Sequence, residues 1–172
     1  MKTKSKIERV MILDYDRTIR KQNSDLLLRY CGIEHSNIQE LDNPNIAYDL
    51  ILKNGFDLLV TELDFYISEH LNGNNILRVA YSSGKKVIIA SHYSEAKILT
   101  ILKYAIPKEY WRHNVQWLTK PYLPSDFVAS FKEVNHFDNQ IDPSDICRKN
   151  LEDIRRMKKN SIFTRFPILS IF

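Results

Sequence analysis

The sequence has few of the features that tie a chain to a specialised environment. Its only cysteines are Cys31 and Cys147, with no CxxC pair, so neither a disulfide framework nor a structural zinc site is predicted. No apolar stretch is long enough for a membrane span. A basic start precedes an apolar run, but Asp14 and Asp16 interrupt that run too early for a signal peptide. We therefore expect a cytoplasmic protein, although the sequence leaves open export by a dedicated secretion system.

The sequence also has no large excess of charge of either sign. The 172 residues carry a formal net charge of +4, and the basic residues are dispersed except in RRMKKN at 155–160. A solvated helix face explains such a cluster more simply than a contact with nucleic acid or anionic lipid. With 44% hydrophobic and 27% charged residues, the composition is that of a globular protein. We expect one domain over 1–172 and no nucleic-acid partner.

Short apolar segments alternate with longer segments of helical periodicity, which is typical of a parallel sheet covered by helices. Strands are predicted at 10–16, 86–91, 115–120 and 134–139. The sequence thus predicts an α/β fold, a Rossmann-like three-layer sandwich with a mostly parallel sheet. Ligands bind outside the carboxyl ends of the strands in such sheets. The polar residues that end the four predicted strands should therefore meet at one site.

The segment from about 22 to 70 is the hardest to place. It contains three stretches that look largely helical, NSDLLLRYCGI, NPNIAYDLILKNG and FDLLVTELDFYISEHL. They lie between the first and second predicted strands. We interpret the segment as a small helical insertion or cap over the strand ends, with FDLLVTEL as an alternative strand.

Four motifs stand at the ends of the predicted strands. The first is Asp14-Tyr15-Asp16-Arg17-Thr18, and the second is KVIIASHYS, which contains Ser91. The third is TKPYLPSDFVASFKEV, with Lys120 and Pro121. The fourth is VNHFDNQIDPSD, with Asp138 and nearby Asp142. In this order they resemble motifs I to IV of the haloacid dehalogenase-like (HAD) phosphohydrolase superfamily, and the resemblance covers roughly residues 8–150.

This resemblance implies an HAD-like fold and a Mg²⁺-dependent phosphatase that hydrolyses phosphate monoesters through an aspartyl-phosphate. Asp14 would be the nucleophile, and Asp16 would act as general acid and then general base. Mg²⁺ would be held by the Asp14 carboxylate, the Asp16 backbone carbonyl and Asp138. Such a hard cation would offset the repulsion between the paired acids and the phosphate.

The same resemblance implies roles for three further side chains. Ser91 and Thr18 would bind the substrate phosphate. Lys120 would also contact the phosphate, would offset the crowded negative charge and would hold Asp14 ionised. A small or absent cap would leave the site open, and open members of the superfamily tend to act on macromolecules. The implied substrate is therefore a phosphorylated molecule, in particular a phosphotyrosyl protein.

A receiver-like domain of two-component systems is a second hypothesis, because it shares acids after the first strand, a Ser or Thr and a Lys-Pro pair. In that comparison Glu62 stands where a phospho-accepting aspartate would end the strand FDLLVTEL. Tyr15 occupies the place of the second acid. Such a chain would be a pseudo-receiver that binds partners without turnover. A third hypothesis is a catalytically inactive HAD-fold binding protein.

Overall fold

The computed structural model describes residues 7–65 and 72–136. Within these ranges lies a sheet of five parallel strands, ordered β2-β1-β3-β4-β5. The strands are β1 (Val10–Leu13), β2 (Ile38–Leu41), β3 (Leu58–Thr61), β4 (Lys86–Ser91) and β5 (Val115–Thr119). The helices are α1 (Arg17–Tyr30), α2 (Pro44–Leu52), α3 (Gly73–Ser82), α4 (Glu95–Ala105), α5 (Lys108–Asn114) and α6 (Pro124–His136). The predicted α/β sandwich with a parallel sheet is confirmed.

Each face of the sheet carries its own buried cluster, which makes the three layers. Alternate residues of β1 point to opposite faces: Met11 belongs to one cluster and Ile12 to the other. The first cluster includes buried residues of α2, α3 and α4, and the second includes buried residues of α1 and α6. Because both faces are covered, β1, β3 and β4 are buried along their whole length. Among the described residues, no helix is long and apolar enough to cross a membrane.

Three of the four predicted strands are present. β4 has the predicted bounds, while β1 and β5 end earlier than predicted. The strand predicted at 134–139 is wrong over 134–136, which form the last turn of α6, and 137–139 lie outside the described residues. The reason is helical phase: Phe127, Phe131 and Val134 recur at helical spacing, and all three are buried.

The described part of the 22–70 segment does not form the predicted helical insertion over the strand ends. Its described part, 22–65, contains α2 and two strands of the sheet, β2 and β3. β3 pairs with β1 on one side and with β4 on the other, so FDLLVTEL supplies a central strand. The strand alternative for this stretch is therefore correct.

Parallel pairing brings the carboxyl ends of these strands to one edge of the sheet. In register, Leu13 lies beside both Leu41 and Thr61, and Ser91 lies beside Thr119.

The start of α3 packs closely against the turn after β3 at Gly73, where a Cβ would lie 2.5 Å from the carbonyl oxygen of Leu63. Only glycine fits against that backbone, so α3 begins directly behind the turn that follows β3.

Candidate functional site

Two carboxylates and one ammonium group meet at the carboxyl edge of the sheet. Lys120 Nζ lies 2.5 Å from Asp14 Oδ2 and 2.9 Å from Glu62 Oε2. Asp14, Glu62 and Lys120 are 2%, 1% and 8% exposed, and they directly follow β1, β3 and β5. We call these three residues the acid–lysine triad. Its formal charge is −1 when all three groups are ionised, so the lysine compensates only part of the buried negative charge.

Asp14 is held at every polar atom that the structure records. Its Oδ1 accepts a hydrogen bond from the Asp16 amide at 2.9 Å, while Oδ2 faces Lys120. Its own amide donates to the Leu41 carbonyl at 3.1 Å. Arg20 Nη1 donates to the Asp14 carbonyl oxygen at 2.6 Å. One oxygen of this carboxylate is therefore fixed by a hydrogen bond and the other by the salt bridge to Lys120.

Glu62 is fixed in the same way. Its Oε1 accepts from the amides of Leu63 at 2.7 Å and Asp64 at 3.2 Å, so the side chain folds back over its own turn. Oε2 is left to face Lys120. The phosphatase interpretation omitted Glu62, and only the receiver hypothesis drew attention to it. The sequence signal was an acid at the end of the apolar run LLVTEL.

Lys120 remains strongly basic in spite of its burial. Removal from water acts to lower the pKa of Lys120, but hydrogen bonds to Asp14 and Glu62, together with their negative charges, outweigh that effect. The pKa of Lys120 is consequently raised above its ordinary value. The ammonium is therefore a permanent cation at neutral pH.

Ser91 ends β4 beside the triad and is 0% exposed. Its carbonyl oxygen accepts a hydrogen bond from the Lys120 amide at 2.8 Å. Its Oγ accepts from the Tyr93 amide at 3.2 Å, which shapes the turn into α4. Ser91 thus helps to position Lys120 through the backbone. Its predicted contact with a phosphoryl oxygen stays a prediction.

Asp16 and Thr18 serve the start of α1. Asp16 is the N-cap, and its Oδ1 accepts from the Thr18 amide at 2.7 Å. That backbone hydrogen bond is the main reason why the pKa of Asp16 is lowered. The Asp16 carbonyl accepts from the Arg20 amide at 3.0 Å as part of the helix. Thr18 is exposed on the first turn. The structure does not bring either carboxylate oxygen of Asp16 into the triad's hydrogen bonds.

The described residues do not include every predicted ligand. Asp138 and Asp142 lie outside the described residues. Tyr15, the residue between the two motif I acids, is 43% exposed. Partial burial, and then the negative charge of Glu62, raise the pKa of Tyr15. A neutral phenol therefore stands next to the triad where the receiver comparison would place an acid.

The oxygen atoms that meet at this site decide whether it fits the predicted Mg²⁺. Carboxylate oxygens, the ligands that Mg²⁺ prefers, do meet at the carboxyl edge of the sheet. However, residues 7–65 and 72–136 contain no group of three or more His, Cys, Asp or Glu side chains arranged to hold a metal ion. Both carboxylates of the triad already face Lys120, and the Asp16 carbonyl is used in α1. The described residues therefore do not fit a tightly bound Mg²⁺.

Comparison with solved structures identifies the fold as that of response-regulator receiver domains. The Vibrio cholerae chemotaxis protein CheY4 superposes with a TM-score of 0.58 at 17% identity, covering 74% of this chain and 98% of that one. A DNA-binding response regulator of the LuxR family from Staphylococcus aureus gives 0.60 at 16% identity, covering 76% and 100%. The receiver domain of the Francisella response regulator 1452 gives 0.55 at 20% identity, covering 74% and 96%.

Sequence comparison adds nothing to this likeness. No protein-family model matches the chain, and no curated protein matches it. The likeness to receiver domains, at these levels of identity, is a likeness of fold.

This fold overturns the resemblance to HAD phosphohydrolases. The matched structures are receiver domains and response regulators, so the predicted HAD-type hydrolase with an aspartyl-phosphate intermediate is wrong, as is its protein phosphatase form. The inactive HAD-fold hypothesis is wrong for the same reason. Asp, Ser and Lys-Pro at successive strand ends occur in both folds, because both gather polar groups at the carboxyl edge of a parallel sheet. The strand that the phosphatase interpretation missed, β3, carries Glu62 into the site.

Proposed function

We propose that this protein is a pseudo-receiver, a signalling module that binds a protein partner without turning over a substrate or accepting a phosphoryl group. The observation that carries the proposal is the salt bridge between Lys120 Nζ and Glu62 Oε2 at 2.9 Å, on a receiver fold. Glu62 directly follows β3, at the place where the receiver hypothesis expects the phospho-accepting aspartate. The chain has a carboxylate there that is already paired.

The hydrogen bonds of the triad support this proposal. A nucleophile needs a carboxylate oxygen that an incoming phosphorus atom can reach. The oxygens of Glu62 are engaged by two backbone amides and by Lys120, and those of Asp14 by one amide and by Lys120. Attack by either acid would first break a buried ion pair, which is costly. The arrangement favours a fixed structure over chemistry.

The cation in this proposal is Lys120. Receiver domains commonly bind Mg²⁺ at their phosphorylation site, and a phosphoryl group would require such neutralisation. Here one ammonium lies within hydrogen-bonding distance of both buried carboxylates. We propose that the triad needs no divalent ion.

The proposal is tested with a small phosphodonor. The purified protein is incubated with acetyl phosphate and MgCl₂, and intact-mass spectrometry measures covalent phosphate. Hydrolysis of p-nitrophenyl phosphate is assayed in parallel with several divalent metals. We expect the mass to stay that of the unmodified chain and no turnover above a heat-denatured control. A phosphoryl adduct on Asp14 or Glu62, or turnover that disappears in Asp14→Asn, would reject the proposal.

The role of the metal is measured separately, by thermal unfolding. The melting temperature of the wild type should not change when MgCl₂ replaces NaCl at equal ionic strength, because no site is available. Lys120→Gln removes the ammonium while keeping a polar side chain. This variant should be stabilised by Mg²⁺, because the cation can then approach two uncompensated carboxylates. A rise in the melting temperature of the wild type with Mg²⁺ would show that the triad binds the ion even when Lys120 is present, which would contradict this part of the proposal.

A further inference from the structure

The outer surface of α1 lines a groove of about 560 Å³, a volume typical of sites for small molecules. Pro124, at the start of α6, also lines it. Along α1 the groove meets three kinds of side chain in order: the cations Arg17 and Lys21, the carboxylate of Asp25, and the ring of Tyr30. We call this feature the α1 groove. The order of these side chains indicates the chemistry of a ligand that would fit.

The first end of the groove is cationic. Arg17 and Lys21 are exposed, and neither forms an ion pair with another described residue. They are one helical turn apart, so the two residues are separated by about 6 Å along the axis. Guanidinium and ammonium groups both bind phosphate oxygens. A diphosphate group carries charged oxygens on two neighbouring phosphorus atoms, so it can contact both cations at once.

Asp25 distinguishes the groove from a general site for polyanions. It is half-buried, and within residues 7–65 and 72–136 its carboxylate has no hydrogen bond or ion pair. An ionised carboxylate only accepts hydrogen bonds, and it repels phosphate. A ligand that fits should therefore place its phosphates at the cations and hydroxyl groups beside Asp25. A continuous phosphate backbone, as in nucleic acid, would be repelled at this position.

The other end of the groove presents an aromatic ring. Tyr30 is 61% exposed, while Leu26, one turn before it, is 6% exposed and adds apolar surface. Nucleobases stack on exposed aromatic rings and on guanidinium planes, and Arg29 lies next to Tyr30 in the same groove. Tyr30 is about 14 Å beyond Lys21 along the axis. An extended nucleotide has its base, its ribose hydroxyls and its phosphates in the same order as the ring, the carboxylate and the cations.

We infer that the α1 groove binds a nucleoside diphosphate, with the base on Tyr30, the ribose hydroxyls donating to Asp25 and the phosphates at Arg17 and Lys21. This inference goes beyond the proposed binding of a protein partner and does not depend on it. The nucleotide binds without a covalent step, so its binding is measured separately from any phosphoryl uptake at the acid–lysine triad.

The test is a titration of the full chain with ADP at low salt in the presence of EDTA. Amide chemical shifts measure the affinity and locate the contacts. We expect saturable binding, with shifts concentrated on α1 and the start of α6. Pyrophosphate and adenosine, which each lack one part of the ligand, should bind at least about tenfold more weakly than ADP. Lys21→Gln and Tyr30→Ala should each weaken ADP binding about fivefold to tenfold.

The role of Asp25 has its own readout, which uses a nucleotide without ribose hydroxyls. The wild type should bind 2′,3′-dideoxy-ADP about tenfold more weakly than ADP, because the carboxylate then loses its hydrogen-bond donors. Asp25→Ala should bind the two nucleotides equally. A general loss of structure in this variant would not abolish the discrimination selectively, and a discrimination that persists in Asp25→Ala would overturn the inference.

Matched controls come from α4, where a lysine and a tyrosine are also adjacent and exposed. Lys103→Gln and Tyr104→Ala repeat the two substitutions outside the groove, and both should leave ADP affinity within about twofold of the wild type. Failure of ADP to saturate the wild type at millimolar concentrations would overturn the inference. So would pyrophosphate binding as tightly as ADP, tighter binding of a single-stranded oligonucleotide, or shifts that lie away from α1.

Discussion

Two of the three buried lysines among the described residues stand at opposite ends of the same sheet, and their surroundings differ in kind. Lys120, just after β5 at the carboxyl edge, is paired with the carboxylates of Asp14 and Glu62. Lys85, just before β4 at the amino edge, donates to the amide oxygen of Asn54 and the carbonyl oxygen of Phe56. Its ammonium also lies 5.2 Å from the centre of the Phe56 ring. Lys85 is 6% exposed and Lys120 is 8% exposed.

The comparison shows that a buried lysine can either form part of a charged site or hold neighbouring elements together through neutral oxygens. Lys85 joins the end of α2 to the starts of β3 and β4 through neutral oxygens, and its carbonyl accepts a hydrogen bond from the Tyr110 hydroxyl. Those partners carry no net charge and do not titrate near neutral pH. The partners of Lys120 are charged, so they interact with cations and with one another over a longer range. The carboxyl edge is therefore the responsive end of the molecule, and the amino edge is its structural end.

The largest expected effect is that of Lys120→Met. The methionine keeps most of the apolar stem but leaves two carboxylates buried without their cation, which should cost about 3–5 kcal/mol in the free energy of unfolding. Urea denaturation followed by circular dichroism measures the loss. The matched variant adds Asp14→Asn and Glu62→Gln, so that the site becomes neutral and keeps its approximate shape. This triple variant should recover most of the stability; if it stays as unstable as Lys120→Met alone, packing rather than charge explains the loss.

A smaller effect is expected at the other end of the sheet. Lys85→Met removes the donor to two buried oxygens, Asn54 Oδ1 and the Phe56 carbonyl, and should cost about 1–3 kcal/mol. The same denaturation experiment applies. If Lys85→Met were to destabilise the protein more than Lys120→Met, the contrast between a charged site and a neutral clamp would be wrong.

The fold could be predicted from the sequence further than the site could. β4 was found with both bounds because a turn glycine precedes it and polar residues follow Ser91. β2 was missed because it is an edge strand without an apolar run, half exposed at both ends and exposed in its middle. β3 was ambiguous because a short run that is buried on both faces has no alternation to distinguish it from a helix.

Only part of the site could be predicted from the sequence, for a related reason. Asp14, Ser91 and Lys120 do meet at one edge, as the strand ends predicted. Asp16 is two residues from Asp14, but it caps α1 instead, since helix formation begins at Arg17 and an unpaired amide there needs an acceptor. Glu62 completes the triad from a strand whose position in the sheet depends on long-range pairing, which periodicity cannot predict. The sequence motif was thus compatible with two different folds.

Alkaline pH provides a gentler version of the Lys120 experiment. The pKa of Lys120 is higher in the folded chain than its ordinary value of 10.5. Its ion pairs therefore contribute stability that is fully present below pH 10.5 and is lost as the pH rises through the folded pKa. The melting temperature of the wild type, measured from neutral pH to above pH 10.5, should show this fall. The triple variant Lys120→Met, Asp14→Asn, Glu62→Gln, which has no titrating ammonium there, should show a shallower fall over the same interval.

The smallest expected effect concerns Asp16, whose position as the N-cap of α1 predicts a purely local role. Asp16→Asn should leave stability near the wild-type value at neutral pH because asparagine caps helices as well as aspartate does, whereas Asp16→Ala should lower it. The hydrogen bond from the Thr18 amide lowers the pKa of Asp16, so its stabilising contribution is present above an ordinary pKa of 3.8 and is lost as the pH falls through the lower folded value. Acid denaturation of Asp16→Asn should accordingly be less steep than that of the wild type. If Asp16→Asn instead altered the stability of the triad as strongly as Lys120→Met does, Asp16 would belong to the responsive end of the molecule and not merely to the start of its first helix.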